Sequence, residues 1–93
     1  MEFSIIIPTF RNYNYCKLTI DSIKKNSFFK HEIIVHLNGI DEDTEKYLNN
    51  EKILFTKSNE NIGLCSGVNK ATSLSSKEYI LYSHDDMYFL PNW

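Results

Sequence analysis

The sequence contains few Gly, Pro, Arg and Cys residues, which are typical of linkers, nucleic-acid-binding proteins and proteins stabilised by bound metal ions. Its 93 residues include only three Gly and two Pro, which excludes a flexible linker or a low-complexity segment. Arg11 is the single arginine, no basic run exists and the formal net charge is -2, so a nucleic-acid partner is not expected. The two cysteines, Cys16 and Cys65, lack metal-ligand spacing and are typical of free thiols in a reducing compartment.

Long hydrophobic runs are also missing. None approaches the ~20 apolar residues that a transmembrane helix requires, and no signal-peptide pattern opens the sequence. Together with the free cysteines, these absences predict a cytoplasmic protein, with a peripheral position at the inner face of a membrane as the other option.

Short apolar runs alternate with helical patterns along the chain. Residues 3–7, 32–37, 53–56 and 79–82 form runs with little polar alternation, which is typical of strands covered on both faces. Pro8 cannot donate to a sheet ladder, so the first strand is expected to end there. Cys16, Ile20 and Ile23 share one helix face and predict a helix over about 15–25. Two more helices are expected, one ending near residue 50 and one beginning near residue 63.

The resulting order is β-α-β-α-β-α-β. This alternation predicts a Rossmann-like α/β fold with a mainly parallel four-stranded sheet, helices on both faces, and residues 1–93 as one domain. In such sheets ligands bind beyond the carboxyl ends of the strands. The segments expected at that edge are residues 8–11, 37–39, 57–63 and 84–86.

Two adjacent acids follow the fourth strand at this edge. Asp85 and Asp86 would repel each other unless a positive group lay beside them, and hard oxygen ligands suit Mg²⁺ or Mn²⁺. An alternative is that one of them only caps the following turn. His84 is either a general base, a metal ligand or a hydrogen-bonded structural residue.

The phosphate-binding loops of other nucleotide-binding folds are absent. There is neither G-x-G-x-x-G after the first strand nor G-x-x-x-x-G-K-[ST], which argues against a dinucleotide site and a P-loop. A nucleotidyltransferase would need a Gly-rich basic loop where residues 8–12 have no Gly. A phosphorylated ligand would therefore depend on a metal and on hydrogen bonds from Asn59, Asn61 and Asn69, which are otherwise turn formers.

Five segments in register carry a resemblance to a known family. They are SIIIPTF at residues 4–10, DSI at 21–23, EIIV at 32–35, NIG at 61–63 with Asn69, and a strand that ends at Asp85 and Asp86. Their order resembles that of the family 2 glycosyltransferases of GT-A fold. The resemblance implies a nucleotide-diphospho-sugar donor, a divalent metal (Mg²⁺ or Mn²⁺) and inverting transfer to an acceptor hydroxyl.

The resemblance also implies roles for individual residues. Its nucleotide-binding positions are Pro8, Thr9, Arg11, Asn38, Asn61, Gly63 and Asn69. The D-x-D motif of the family falls on residues 83–85, so the metal contact is expected at Asp85, with Asp86 next to it.

The sequence departs from the family pattern in three places. Leu37 stands where the family has an acid that binds the base or ribose, and Asn38 beside it can still hydrogen-bond. Ser83 replaces the first acid of D-x-D. Gly67 and Val68 replace the Ala-Arg that often precedes Asn69.

The family's catalytic base and acceptor site lie in a second half of the domain that has no counterpart here. The base is expected beyond Trp93, so we expect the chain to be the N-terminal, donor-binding part of a GT-A domain, inactive alone, with an acceptor that is a glycan, lipid or protein. The aromatic tail Tyr88, Phe89 and Trp93 is expected to be frayed or buried against a second copy, which would make a homo-oligomer. The alternative is a non-catalytic nucleotide-binding or interaction module derived from the same fold.

Overall fold

Four strands alternate with three helices within residues 2–27, 29–91 and 93, which the computed structural model describes. The elements are β1 (Glu2–Thr9), α1 (Tyr13–Asn26), β2 (Lys30–Asn38), α2 (Glu42–Asn50), β3 (Leu54–Ser58), α3 (Leu64–Thr72) and β4 (Tyr79–Tyr82). The strands form one sheet in the order β3-β2-β1-β4, and all its pairings are parallel. The predicted element order and parallel sheet are confirmed.

Alternate residues of the central strands bury opposite faces of the sheet. Ile5 and Ile7 belong to the larger apolar cluster, which also contains Ile20 of α1 and Leu48 of α2. Ile6 belongs to a smaller cluster formed with α3. Because side chains alternate along a strand, α1 and α2 cover one face and α3 covers the other. In the described part of the chain, no helix has the length and apolarity needed to cross a bilayer.

Pro8 lies inside β1, so the prediction that the strand ends there is wrong. The Ser83 N–H donates to the Ile6 carbonyl at 2.9 Å, so Ile6 faces β4. Pro8, two residues later, faces the same way. β4 itself ends at Tyr82, opposite Ile6. The missing N–H of Pro8 therefore costs no ladder bond, and β1 continues to Thr9.

The segment after β4 is held along α1 of the same chain. The Thr19 hydroxyl accepts the Met87 N–H at 3.0 Å, and the Ser22 hydroxyl accepts the Phe89 N–H at 2.9 Å. The Asn26 Nδ2 donates to the Phe89 carbonyl at 2.6 Å. These three α1 residues lie along one side of the helix, where i+3 and i+4 positions stack. Their side chains form a polar stripe that hydrogen-bonds the main chain of Met87 and Phe89.

The expectation of a frayed tail is therefore wrong for Phe89 and Trp93, whereas a homo-oligomer formed by burying this segment against a second copy stays a prediction. Their rings meet edge to face at 4.9 Å between centroids, and both pack against the larger apolar cluster. Only Tyr88 of the three is largely exposed. Hydrophobic periodicity finds the buried face of α1, but it does not reveal that its polar residues bind a distant segment.

Candidate functional site

A cavity of about 360 Å³ opens at the carboxyl edge of the sheet. The ends of β1, β2 and β4 line it together with the loop that leads into α3. Among the residues expected to bind a ligand, it is lined by Pro8, Thr9, Asn38, Asn61 and Asp85. Four segments far apart in sequence thus meet where the topology of a parallel sheet directs them.

Four expected site residues lie outside the lining. Arg11 is exposed, with its guanidinium carbon 5.5 Å from the centre of the Phe10 ring. Asn69 is exposed on α3, and Asp86 is exposed beside Asp85. Gly63 immediately precedes α3 with a φ of 87°, a left-handed conformation that favours glycine. Its contribution is therefore to the path of the main chain.

Sequence reasoning did not assign several residues that line the cavity. Phe10 and Asn12 follow β1, Tyr82 ends β4 and Leu64 begins α3. Phe10 is half exposed, so its ring is accessible to a ligand. The signal that could have found them is their position directly at or after predicted element ends, where ligand contacts concentrate.

The end of β1 is joined to the segment after β4 by a hydrogen bond between side chains. The Thr9 hydroxyl donates to Asp85 Oδ2 at 2.7 Å, across 76 residues of sequence. Thr9 is buried and Asp85 is half-buried at the cavity. No other hydrogen bond to the Asp85 carboxylate is present within residues 2–27, 29–91 and 93. One carboxylate oxygen is thus oriented by the protein while the other is available to a ligand.

The neighbours of Asp85 are arranged differently. Ser83 is buried, and its hydroxyl donates to the His84 carbonyl at 2.9 Å, so it serves the local main chain. His84 is exposed at the cavity, with its Nδ1 3.3 Å from the Tyr82 hydroxyl. The two rings meet edge to face at 5.2 Å.

A divalent cation at this edge would need ligands from a substrate as well as from the protein. Among the described residues, no three His, Cys, Asp or Glu side chains gather in a group that could hold a metal ion. Mg²⁺ commonly takes one or two carboxylates and completes its shell with water and substrate phosphates. Asp85, with one oxygen held by Thr9, and the exposed Asp86 would be the carboxylates of such a partial donor set.

A buried polar network lies beneath the loop before α3. His36 is fully buried, with Nδ1 2.7 Å from Thr56 Oγ1 and Nε2 3.2 Å from Ser58 Oγ. Burial lowers the pKa of His36 and the charge of Lys70 adds to this, although a hydrogen bond with Asn38 opposes both. These contacts give His36 a structural role beneath the loop.

The cysteines do not provide a nucleophile at the site. Cys16 is buried in the larger cluster, and burial, reinforced by the negative charge of Asp85, raises the pKa of its thiol to about 12. A thiol with such a pKa is protonated at neutral pH and is a poor nucleophile. Cys65 is exposed in the first turn of α3 and does not line the cavity.

Solved structures with this fold include TarS from S. aureus and a mannosyltransferase. S. aureus TarS 1–349 superposes with a TM-score of 0.82 over 95% of this chain at 22% identity. Its complex with UDP gives a TM-score of 0.79 over 99% of this chain at 26% identity. The mannosyltransferase PcManGT from Pyrobaculum calidifontis, in complex with GDP-Man and Mn²⁺, gives a TM-score of 0.82 over 94% at 17% identity.

This chain spans under a third of each of those proteins, namely 28%, 29% and 28% of their lengths. The comparison with curated proteins finds no match. The family model described as glycosyl transferase family 2 matches residues 4–93. The match covers nearly the whole chain and agrees with the GT-A-type fold, so the protein belongs to glycosyl transferase family 2.

Proposed function

We propose that this chain binds the nucleotide-diphospho-sugar donor of a metal-dependent, inverting glycosyltransferase. The observation that carries the proposal is the pairing of Thr9 with Asp85 at the cavity where the strands end. Two similar structures support it, since one contains UDP and the other GDP-Man with Mn²⁺. The acceptor is a hydroxyl of a glycan, a lipid or a protein.

Donor recognition falls to the end of β1 with Phe10 after it, and to the loop before α3. Pro8 and Thr9 border the nucleobase, and the exposed Phe10 ring offers an aromatic face for it. Asn61, in the loop before α3, also borders the cavity and can hydrogen-bond the nucleotide. Arg11, Gly63 and Asn69 lie outside the lining. They therefore contribute indirectly, by supporting the residues that line the cavity or by setting the path of the main chain.

Asp85, with Asp86 beside it, would hold Mg²⁺ or Mn²⁺. When bound, such a cation stabilises the negative charge that develops on the diphosphate leaving group. The chain's own contribution is orientation: the Thr9 hydroxyl fixes one carboxylate oxygen of Asp85 at 2.7 Å. Thr9 is buried in β1, so this orientation is set by the sheet.

Proton removal from the acceptor is assigned to residues outside this chain. A general base has to reach the acceptor hydroxyl through a hydrogen bond, and we expect it beyond Trp93, with the acceptor site. The chain corresponds to under a third of the similar solved proteins. We therefore expect it to bind the donor without transferring the sugar.

The second candidate function is a non-catalytic nucleotide-binding or interaction module. Leu37, where the family has an acid, is 1% exposed in the apolar cluster and offers no polar group to a nucleotide. Ser83, at the first position of the D-x-D motif, uses its hydroxyl on the His84 carbonyl. These two positions favour a weakened or lost donor site.

Calorimetric titration with UDP and with GDP, each with and without Mn²⁺, separates the two functions. The donor site predicts binding that requires Mn²⁺ and is lost in Asp85→Ala. The matched control is Asp43→Ala, an exposed acid in the first turn of α2, which should bind as the unchanged chain does. Absence of binding to either nucleotide favours the interaction module. Donor hydrolysis or transfer above the Asp85→Ala level would refute the expected inactivity of this chain.

A further inference from the structure

Asn38, the last residue of β2, bonds to the main chain of the loop that leads into α3. Its Oδ1 accepts the Ile62 N–H at 2.9 Å, and its Nδ2 donates to the Gly63 carbonyl at 3.2 Å. The side chain is 6% exposed. Both ends of the carboxamide are therefore used by the protein, although the resemblance implied a direct contact between Asn38 and the nucleotide.

These two bonds require an amide in particular. The loop presents a donor at Ile62 and an acceptor at Gly63, and a carboxamide carries the complementary acceptor and donor. A carboxylate would keep the bond to Ile62 and place an oxygen against the Gly63 carbonyl. The same carbonyl accepts the Gly67 N–H at 3.1 Å, which is the first hydrogen bond of α3. Asn38 thus grips the loop at the point where the helix begins.

The residues around Asn38 hold it in place. Ser58 Oγ lies 3.5 Å from Asn38 Oδ1 and donates to the Glu60 carbonyl at 2.7 Å. His36 Nε2 lies 3.2 Å from the same Ser58 oxygen, on the buried face under α3. The network therefore reaches from the interior of β2 to residues 60–63 of the loop.

Gly67 allows α3 to lie directly on this network. A Cβ at position 67 would stand 2.8 Å from His36 Cδ2 and 3.4 Å from Asn38 Nδ2. The first contact is closer than real Cβ atoms approach, so the helix sits this near only because the position is glycine. The beginning of α3 and the loop before it are thus fixed from below by β2.

We propose that Asn38 is a positioning residue that shapes the donor cavity by holding the loop before α3. Asn61 and Leu64 flank the two gripped residues in sequence and both line the cavity. Releasing Ile62 and Gly63 would let both linings move, so the affinity for the donor nucleotide depends on Asn38 through the loop. The identity of the ligand rests on the proposed function, but the grip on the loop does not.

The test combines amide hydrogen exchange with nucleotide titration on the full chain. In Asn38→Ala we expect the Ile62 amide to exchange about tenfold faster, since it loses the side-chain acceptor that protects it, and the affinity for UDP or GDP with Mn²⁺ to fall about tenfold. Asn38→Asp should retain protection at Ile62 and lose affinity to a smaller extent. The Gly63 amide, which donates to Asn61 Oδ1 at 2.9 Å, reports on the loop independently.

Asn49→Ala, at an exposed position of α2, is the matched control and should change neither measurement. A loss of affinity in Asn38→Ala with unchanged exchange at Ile62 would mean that Asn38 touches the nucleotide itself, which overturns the proposal. Faster exchange with unchanged affinity overturns it as well. If Asn38→Ala does not fold, the near-isosteric Asn38→Asp decides: reduced affinity together with faster exchange at the Gly63 amide supports the grip, and unchanged affinity, or reduced affinity with unchanged exchange at Gly63, counts against it.

Failure of the proposed function has a different signature. A chain that binds neither UDP nor GDP would refute the donor site. The exchange rate at Ile62 would then still decide whether Asn38 grips the loop: faster exchange in the alanine variant supports the grip, and unchanged exchange overturns it.

Discussion

The two ends of the sheet carry similar polar side chains and use them in opposite ways. At the amino end, Glu32 of β2 accepts hydrogen bonds from the Ser4 hydroxyl at 2.6 Å and the Ser76 N–H at 2.7 Å. The Ser76 hydroxyl adds a third donor. At the carboxyl end, Asp85 accepts one hydrogen bond, from Thr9, and borders the cavity. Both residues are half-buried carboxylates, so burial alone does not separate their roles.

The difference shows what makes a carboxylate structural or available. Burial alone would raise the pKa of Glu32, but the hydrogen bonds from Ser4 and Ser76 and the charge of Lys77 outweigh it and lower the pKa. Glu32 therefore ties β1, β2 and the segment before β4 together. A carboxylate with a single protein donor beside a cavity retains capacity for a ligand, which is the situation of Asp85.

The largest effect is expected from removing the Thr9 hydroxyl, which should weaken nucleotide binding at the carboxyl end of the sheet. Thr9→Val keeps the β-branched shape in β1 but loses the donor to Asp85 Oδ2. We expect the affinity for UDP or GDP with Mn²⁺ to fall about tenfold, since loss of a partner that orients a metal ligand typically costs 10–100-fold in metal affinity. Titration calorimetry measures the change.

Thr9→Ser retains a hydroxyl at the same position and is the control for this variant. It should bind as the unchanged chain does. Equal affinity in the valine and serine variants would show that Asp85 needs no orientation from β1.

A methyl group added at position 67 of α3 should destabilise the packing at the carboxyl end of the sheet. In Gly67→Ala the added Cβ meets the buried His36 ring, which hydrogen bonds hold in place. Overpacking of this kind costs about 1–3 kcal/mol, against a helix-propensity gain of ~1 kcal/mol for Ala over Gly. We expect a net loss of about 1 kcal/mol in the free energy of unfolding, measured by urea denaturation.

Ser66→Ala, at the exposed position next to it on α3, tests the contribution of propensity without the contact. Its stability should be unchanged or slightly higher. A Gly67→Ala variant that is more stable than the original chain would contradict the close contact between α3 and His36.

Lowering the pH should reduce the free energy of unfolding in two separate ranges, one set by His36 and one by Glu32. Of the three predictions, this one has the smallest expected effect. His36 has a pKa lowered from 6.5, chiefly by burial, so the unfolded chain takes up a proton more readily and stability falls as the pH drops below 6.5. Glu32 has a pKa lowered from 4.5, so its contribution is complete above pH 4.5 and is lost as the pH falls through its lower folded value. Urea denaturation from pH 7.5 to 3.5 follows both.

Glu32→Gln isolates the amino end in the same experiment. It should retain the loss of stability below pH 6.5 and lack the further loss that Glu32 contributes below pH 4.5. An acid response identical to that of the original chain would show that the Ser4 and Ser76 bonds do not stabilise the carboxylate.

Local patterns predicted the elements well because each depends on residues close in sequence. The apolar run around Ile5–Ile7 and the spacing of Cys16, Ile20 and Ile23 placed β1 and α1 and their buried faces, and the sheet is parallel as expected. Where the prediction failed, at Pro8 and at the tail, the outcome depended on partners far away. Whether Pro8 lacks a ladder partner depends on where β4 ends. The tail is held by α1 side chains more than 60 positions earlier in the sequence; Ser22, for example, bonds to Phe89 across 67 positions.

The same division holds for the candidate site. The rule that ligands bind at the carboxyl ends of parallel strands directed attention to this edge, and Pro8, Thr9, Asn38, Asn61 and Asp85 line one cavity there. The motif pattern treated Asn38 as a ligand contact, because spacing reports which residue types are present and says nothing of what their polar atoms bond to. Its two bonds to the loop became visible only with the backbone of residues 62 and 63 in place.

The scarcity of Gly, Pro, Arg and long apolar runs, together with the order of apolar segments, determined by itself that the chain folds as an α/β domain with a polar edge. Only the tertiary structure decided which partners each polar group at the ends of the sheet binds. Glu32 is saturated by protein donors, Asn38 is committed to a loop, and Asp85 keeps an oxygen for a ligand. The physical reason is that a polar side chain acquires its role from the partners packed against it, and those partners come from segments 24 to 76 residues away.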